Sequence, residues 1–414
     1  MIGAIIGDTI GSVYEFNNTK DYNFELLGRG CSFTDDSVLT AAVAYWQLSA
    51  QNGVLDQRSL EKCLCNFAAR YPHPMGGYGG GFHCWLNAAV KKPYNSWGNG
   101  SAMRVSSVGW MYDTLEETEK VAELSASATH NHPEGIKGAQ ATAAAIWMAR
   151  NGRTKQEIKE YVESRFGYDL SHSWAEIHPG YGWEDSCQGT CPAAIIAFLD
   201  STDFEDALRK AVSLGGDSDT LACITCSIAE AFYKSIPEDI VRFTLDRLPS
   251  EFLDVLATMM KDTAYGKVAT AYIPSEYLEG RGLKNNPMVN ITPDFVTALK
   301  PGEVFVFGSN LRGEHLGGAA RIAVNNFGAI WGQGVGLQGQ SYAIPTMQGG
   351  VDTIRPYVDE FIAFAKAHPD LFFYVTRIGC GIAGFRDSEI APLFAEAKDL
   401  ENVALPKSFV ECLK

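Results

Sequence analysis

An acidic cluster at the start of an apolar helix places the strongest constraint on the fold of this chain. In residues 214–233, LGGDSDTLACITCSIAEAFY, two glycines precede the motif DSDT, and apolar residues then recur with helical spacing from Leu221 to Phe232. A lone Asp or Ser at such a position is most simply an N-cap, which satisfies free backbone N–H groups of the first turn. The pattern therefore predicts a helix whose acidic side chains gather at its N-terminus.

A second acidic cluster opens another apolar helix near the N-terminus of the chain, where residues 34–37 read TDDS. If the two helix starts converge, they bring together the carboxylates of Asp35, Asp36, Asp217 and Asp219. One like-charge pair at about 4 Å costs on the order of 4 kcal/mol at a surface-like effective dielectric constant. Such a cluster needs divalent cations, and oxygen ligands without nearby His or Cys favour Mg²⁺ or Mn²⁺ over Zn²⁺.

The first sixteen residues predict a helix rich in small side chains. Gly3, Gly7 and Gly11 allow another helix to pack closely against it. Asp8 is expected to fix this packing through hydrogen bonds, and Glu15 lies at the far end. For an arbitrary glutamate at a helix end, an exposed carboxylate is the simplest interpretation.

The composition of the chain limits the classes of partner that it is expected to bind and indicates its cellular compartment. The chain has 414 residues, which predicts two domains, and a net charge of −15, which argues against general binding to nucleic acid backbones. It contains no apolar run of membrane-spanning length and no basic leader, and its ten cysteines are scattered. We therefore expect a cytoplasmic protein without membrane association. Cys187 and Cys191 are the pair closest to a metal or redox spacing, although buried free thiols are the simpler explanation.

Five motifs occur in order along the first two thirds of the chain. They read GDTIGSVYE from residue 7, TDDS from 34, GNGSAMR from 98, THNHPEGIKGA from 129 and GGDSDT from 215. Together they resemble the ADP-ribosylglycohydrolases of the dinitrogenase-reductase-activating type, over roughly residues 1–266. The resemblance implies an all-α domain that holds two Mg²⁺ or Mn²⁺ ions.

The resemblance also assigns roles to single residues. It implies that Glu15 is the general acid/base, and it places Asp36 in two roles, as a catalytic residue and as a metal ligand. The implied metal ligands are Thr34, Asp35, Asp36, Asp217, Asp219 and Thr220.

A glycine turn and two histidines lie between the acidic motifs. The glycines of SWGNGSAMR let backbone N–H groups approach an anion, although the turn is equally explained as a tight connection. The resemblance places ADP-ribose contacts at Gly98, Gly100 and Ser101, and implies that His130 reaches the distal part of the substrate. In the simpler interpretation, His130 or His132 caps the helix that follows.

The pattern changes in the C-terminal part of the chain. Residues 267–300 are proline-containing with little periodicity, which predicts a linker. Beyond it, strands alternate with glycine loops and helices, which predicts a small α/β domain. The predicted elements are strands at 304–307, 341–346 and 372–376, a helix at 351–367 and a helix from residue 387.

Two glycine loops of this segment are similar to the phosphate loops of the macrodomains, which bind ADP-ribose. Asn310, with Gly317 and Gly318 downstream, occupies the position of their asparagine and diphosphate loop, and GCGIAGF, which contains Gly381, is similar to their second loop. The usual double asparagine is absent. Tight turns and strand–helix packing are the alternative explanation of these glycines.

The sequence thus predicts a multidomain hydrolase: an all-α ADP-ribosylglycohydrolase domain at 1–266, a linker at 267–300, and a macrodomain-like α/β domain at 301–414. The resemblance implies hydrolysis of the glycosidic bond at C1″ of ADP-ribose, which releases it from a modified protein or another conjugate. Two alternatives remain: a hydrolase of a free ADP-ribose conjugate, and a non-catalytic ADP-ribose-binding or structural protein. Retention of four mutually repelling aspartates argues against a dead site.

Overall fold

The computed structural model describes residues 1–50, 55–88, 90–261, 263–283 and 290–413. The chain divides into two compact units, one comprising residues 1–85 and 92–283, and the other comprising residues 86–91 and 284–414. The predicted boundaries at residues 266 and 300 stay a prediction.

Helices make up nearly all the regular structure between residues 2 and 283 in the described ranges, which confirms the predicted helical N-terminal domain. The α-helices are α1 (Ile2–Gly11), α2 (Asp35–Leu48), α3 (Gln57–Arg70), α4 (Gly80–Asn87), α5 (Gly100–Met103), α6 (Val108–Met111), α7 (Leu115–Ser127), α8 (Pro133–Arg150), α9 (Lys155–Phe166), α10 (Trp174–Ile177), α11 (Cys187–Leu199), α12 (Phe204–Ser213), α13 (Ser218–Tyr233), α14 (Glu238–Leu245), α15 (Ser250–Met259) and α16 (Ala264–Ala269). Short 3-10 helices span Ser12–Tyr14 and Ser275–Tyr277.

Helix α13 is the central element of the first unit. Every residue from Ser218 to Ala231 is buried, and the helix packs against α1, α8, α11 and α12. Its sequence explains this position, because the small and apolar residues of α13 lie on every side of the helix, so that no continuous polar face is available to contact solvent. The acidic start of α13 is therefore held inside the unit.

Helices α1 and α13 approach each other at the three glycines of α1. A Cβ atom at Gly7 would clash with the backbone carbonyl of Ala222, and one at Gly11 would lie 2.6 Å from the Cα atom of Asp219. Gly3 meets the same helix one turn further along. The predicted close packing is confirmed, and it sets the end of α1 directly against the start of α13.

The second unit contains a sheet with helices. Its strands are β1 (Asn290–Ile291), β2 (Glu303–Ser309), β3 (Gly336–Gln338), β4 (Ser341–Pro345), β5 (Phe372–Val375) and β6 (Val403–Leu405). Its helices are α17 (Gly318–Phe327), α18 (Val351–Ala367), α19 (Asp387–Ile390), α20 (Lys407–Cys412) and the 3-10 helix Ala391–Asp399. In the described residues the strand order is β1-β6-β5-β2-β4-β3, and only β3 is antiparallel to its neighbour.

The small α/β region that the sequence predicts is confirmed. The three predicted strands correspond to β2, β4 and β5, and the predicted helix at 351–367 is α18. Strands β1, β3 and β6 were not predicted, since two or three residues are too few to show an alternating pattern. The identity of this region as a macrodomain rests on the resemblance of its loops.

Candidate active site

Three carboxylates from two helix ends lie together in the first unit. Glu15, Asp217 and Asp219 each place one oxygen within 4.8 Å of the others. Asp36, from the start of α2, joins them through Thr220, whose hydroxyl donates to the Asp36 carboxylate at 2.9 Å. The two acidic helix starts that were recognised in the sequence therefore meet at one site.

The start of α2 is held by a buried carboxylate from α1. Asp8 accepts hydrogen bonds from the backbone N–H of Thr34 at 3.0 Å and from its hydroxyl at 2.6 Å. It also accepts from the backbone N–H and the hydroxyl of Ser37. Burial raises the pKa of Asp8 to about 6, against the effect of these hydrogen bonds. Asp8 thus orients the motif that carries Asp35 and Asp36.

The start of α13 depends on two glycines and on Asn18. Gly215 and Gly216 both have φ of +71°, which favours glycine. The Asn18 side chain accepts from the N–H of Gly216 at 2.7 Å and donates to its carbonyl at 2.8 Å. It also donates to the backbone carbonyl of Glu15 at 2.8 Å. Asn18 therefore ties the segment of Glu15 to the turn before Asp217.

Asn99 links the glycine turn to the carboxylate cluster. Its buried amide donates to Asp217 Oδ2 at 2.7 Å and to the Thr190 hydroxyl at 3.2 Å. The sequence pattern points to the flanking glycines but does not indicate the roles of Asn18 and Asn99. The only signal for Asn99 was its place inside the GNG motif, because its partner lies 118 residues away.

The loop at residues 72–79 lies against Glu15. Met75 forms an isolated bridge with Thr34, and Gly76, with φ of +76°, packs its backbone against the Glu15 carboxylate. A side chain at position 76 would displace that carboxylate. This glycine was also missed as a contact of the site.

Burial and mutual repulsion raise the pKa values of the clustered carboxyls. For Asp35, Asp36 and Asp219 burial acts first, and neighbouring carboxylates add to it, so that all three pKa values lie well above the ordinary range. The pKa of Glu15 rises to about 7, first from burial and then from the charges of Asp217 and Asp8.

The donor set suits a hard divalent cation. Asp219 Oδ1 is buried and has no hydrogen-bond partner among the described residues. The other donors are carboxylate and hydroxyl oxygens, which Mg²⁺ and Mn²⁺ accept. A cation would satisfy the unpaired oxygen and offset the repulsion that raises these pKa values.

The predicted substrate contacts Gly98 and Gly100 flank Asn99 in the chain, and His130 lies close to both. A Cβ atom at Gly100 would lie 3.1 Å from Nε2 of His130, and one at Gly98 would lie 3.6 Å from it. Ser101 is buried and its hydroxyl donates to the Gly135 carbonyl at 2.7 Å, so the side chain is already engaged. The turn and His130 therefore face each other closely.

The structure agrees with the simpler interpretations of His132 and of the pair Cys187 and Cys191. His132 caps α8, because its Nδ1 accepts from the backbone N–H of Glu134 at 3.1 Å. Cys187 and Cys191 are buried free thiols. Trp183 stacks on Phe16 with ring centroids 5.8 Å apart, and both rings are largely exposed.

The second unit places its two glycine loops side by side. One follows β2 and the other follows β5, and these strands are parallel neighbours, so both loops lie at the same sheet edge. Gly318, at the start of α17, has φ of +55°, and a Cβ atom at Gly317 would lie 3.2 Å from the Ile382 side chain. Asn310 is bonded within its own loop, where Nδ2 donates to the Glu314 carbonyl. Gly381 has open space around it.

A cavity of about 950 Å³ opens at the same edge of the sheet. It is lined by residues 292–297, by Gly318 and Ala319 at the start of α17, by residues 375–377 at the end of β5, and by residues 406–408. Among the described residues, no helix is both long and apolar enough to cross a membrane.

The first unit is an all-α fold that encloses a buried carboxylate cluster. A family model described as ADP-ribosylglycohydrolase matches residues 1–268. The chain belongs to the ADP-ribosylglycohydrolase family, which confirms the resemblance of its motifs and its assignment as an enzyme. The second unit lies outside this match.

Several known proteins are similar to the chain. ADP-ribosylhydrolase ARH3 of Homo sapiens is 26% identical over 314 residues, which cover 58% of this chain and 86% of the relative. The putative ADP-ribosyl glycohydrolase L543 of Acanthamoeba polyphaga mimivirus is 25% identical over 288 residues, which cover 57% of this chain and 87% of the relative. A solved structure titled ADP-ribosylglycohydrolase-related protein complex is 25% identical, covers 58% of this chain and 89% of its own, and has a TM-score of 0.43.

Proposed function

We propose that the protein hydrolyses the glycosidic bond at C1″ of ADP-ribose and so removes ADP-ribosyl groups from a modified protein or another conjugate. The observation that carries this proposal is the convergence of Glu15, Asp217 and Asp219 within 4.8 Å, joined by Asn99 to the glycine turn. The names of the relatives, which are ADP-ribosylhydrolases, support the same substrate class.

The carboxylate cluster would hold two divalent cations, Mg²⁺ or alternatively Mn²⁺. The proposed ligands are Thr34, Asp35, Asp36, Asp217, Asp219 and Thr220. When bound, such ions orient the ribose hydroxyls and polarise a water molecule. The unpaired, buried Oδ1 atom of Asp219 supports this assignment.

Glu15 is proposed as the general acid/base. Burial is the first cause of the raised pKa of Glu15, and a carboxyl whose pKa is raised towards neutral pH suits a group that gives a proton to the leaving oxygen or nitrogen and takes one from water. Its half-buried carboxylate lies beside Asp217 and Asp219 and against the backbone of Gly76. Asp36 is proposed as a second catalytic residue, held by the Thr220 hydroxyl.

The glycine turn and His130 are proposed to hold the diphosphate of ADP-ribose. Because Gly98 and Gly100 lack side chains, Nε2 of His130 lies close to the backbone of the turn, so that an anion at its edge would be within reach of both the ring and the backbone N–H groups. Ser101 contributes through its backbone, because its hydroxyl bonds Gly135.

A panel of defined conjugates tests this function. The full chain with Mg²⁺ is incubated with protein ADP-ribosylated at Arg or at Ser, and with free small-molecule conjugates, and released ADP-ribose is quantified. Release from modified protein is expected, with loss of release in Asp219→Asn. Release from small conjugates alone would favour the first alternative function, and tight binding of ADP-ribose without release from any conjugate would favour the second.

We also propose that the second unit binds ADP-ribose, as its loops suggest. The juxtaposed turns at Gly317, Gly318 and Gly381 and the adjacent 950 Å³ cavity support a diphosphate-containing ligand. Calorimetry of the full chain should find two equivalents of ADP-ribose, and Gly381→Glu should remove one. Gly350→Glu, which adds the same charge at an open position outside these two loops, is the control. Two equivalents bound by the Gly381→Glu protein would assign these glycines to turn geometry alone.

A further inference from the structure

Arg104 is a fully buried cation close to the glycine turn. Its Nη2 donates to the Ser125 carbonyl at 2.9 Å and to the Thr129 hydroxyl at 2.8 Å. Burial lowers its pKa to about 10, so it stays charged at neutral pH. In the part of the chain that the structure describes, no carboxylate forms an ion pair with it. A buried charge without a counterion is costly, which makes the role of this side chain a question of function as well as of packing.

Thr129 passes the effect of Arg104 to His130. The Thr129 oxygen lies 2.8 Å from Arg104 Nη2 and 2.7 Å from His130 Nδ1. Since Arg104 is only a donor, the oxygen accepts from it, and the single hydroxyl hydrogen is left for another acceptor. The acceptor within reach is Nδ1 of His130. If Nδ1 carried the proton, it would donate to the second lone pair of the oxygen, and the buried hydroxyl hydrogen would have no acceptor among the described residues. The arrangement that satisfies the hydroxyl therefore leaves Nδ1 without a proton.

The other ring nitrogen of His130 faces the glycine turn. Burial, with the nearby Arg104 charge, lowers the pKa of His130 well below its ordinary value, so the ring is neutral. A neutral ring without a proton on Nδ1 carries it on Nε2. Nε2 has no hydrogen-bond partner among the described residues and points at Gly98 and Gly100.

We propose that Arg104 and Thr129 are positioning residues that hold His130 in the Nε2–H tautomer, so that the ring offers a hydrogen-bond donor to the anionic group at the glycine turn. In the opposite tautomer an Nε2 lone pair would face the anion and repel it. This inference rests on the proposed function for the identity of the ligand, whereas the tautomer is a property of the free protein.

The tautomer is measured by ¹⁵N NMR of the histidine rings in the full-length protein without ligand. His130, assigned through a His130→Ala sample, should show a protonated Nε2 and an unprotonated Nδ1. Thr129→Val should shift both signals toward a mixture of tautomers, and Thr129→Ser should retain the wild-type pattern. Thr118→Val, which removes another buried hydroxyl bonded within α7, should leave the pattern unchanged. A protonated Nδ1 in the wild type, or an unaltered ring in Thr129→Val, would overturn the proposal.

Calorimetry with ADP-ribose and Mg²⁺ tests the consequence for binding at the glycine turn, and it is carried out in the Gly381→Glu background, where the proposed second site should not bind. Thr129→Val should weaken the affinity about ten-fold, as expected for the loss of a hydrogen bond to a charged group, and Thr129→Ser should restore it. In the background of His130→Ala, Thr129→Val should have no further effect, because the two residues act as one unit. An equal loss in both backgrounds would reduce Thr129 to a packing role. If the Gly381→Glu protein with Thr129 and His130 intact bound no ADP-ribose, the proposed function and the ligand role of His130 would both fail, while the NMR result would still decide the tautomer.

Discussion

Glu15 is the side chain on which the proposed chemistry depends most. Glu15→Gln keeps the size and hydrogen-bonding capacity of the side chain but removes its ability to transfer a proton, so turnover should fall about 10²- to 10⁴-fold while ADP-ribose affinity changes little. Single-turnover kinetics and calorimetry separate the two effects. Glu25→Gln, at an exposed position of the following loop, is the matched control and should behave as the wild type. A Glu15→Gln rate near that of the wild type would remove Glu15 from the mechanism.

The ionised carboxylate of Asp219 should destabilise the folded protein when no cation is bound. Burial and the charges of Asp217 and Asp36 raise its pKa in the folded state, and a raised carboxyl pKa means that ionisation costs folding free energy at neutral pH. In excess EDTA at pH 7, the free energy of unfolding of Asp219→Asn should therefore exceed that of the wild type by on the order of 1 kcal/mol or more. The variant should accordingly unfold at a higher temperature. Added Mg²⁺ should stabilise the wild type more than the variant. The opposite order in EDTA would mean that the carboxylates do not repel one another.

Contact between α1 and α13 is the structural basis of the site at the scale of elements. Gly7→Ala should destabilise the protein by about 1–3 kcal/mol or more, because the added methyl group clashes with the Ala222 carbonyl and forces the helices apart. Thermal unfolding measures the loss. Gly80→Ala, in α4, meets nothing within 4 Å and should be neutral or slightly stabilising. Equal melting temperatures for Gly7→Ala and the wild type would contradict the close approach.

Asp206 joins α12 to the loop that follows Glu15. It accepts hydrogen bonds from Tyr22 at 2.7 Å, from the backbone of Thr202 at 2.7 Å and from Lys210 at 2.8 Å. Burial alone would raise its pKa, but these bonds outweigh burial and lower the pKa below 3.8. A lowered pKa contributes stability that is present above the unfolded-state value and is lost as the pH falls through the folded-state value.

Replacing Asp206 should reveal this pH dependence. Asp206→Asn should cost about 1–3 kcal/mol at pH 7, and the difference from the wild type should shrink as the pH falls below about 4. Denaturant unfolding from pH 7 to pH 3 measures it, with Asp239→Asn, at an exposed position of α14, as the control. A difference that stays constant over this range would show that the ionised form of Asp206 has no special stabilising role.

At the scale of the whole molecule, the features that could be predicted from the sequence are those that depend on residues close together in the chain. Helices α2, α13 and α18 repeat their apolar residues over several turns, and both acidic motifs stand directly at helix starts, so their type and the likeness to a known family were accessible. The roles of Asn18 and Asn99 could not be predicted, because their hydrogen bonds to Gly216 and Asp217 span 198 and 118 residues and no local sequence pattern indicates them. The short strands β1 and β6 likewise depend on neighbours distant in the chain.

The dependence of activity on divalent cations tests the central claim most directly. The full-length protein is dialysed against EDTA, and release of ADP-ribose from a modified protein is measured before and after Mg²⁺ is added. Because the site consists of oxygen donors around a buried, unpaired Asp219 oxygen, activity should be lost in EDTA and restored by Mg²⁺ or Mn²⁺. Full activity in excess EDTA would contradict the account.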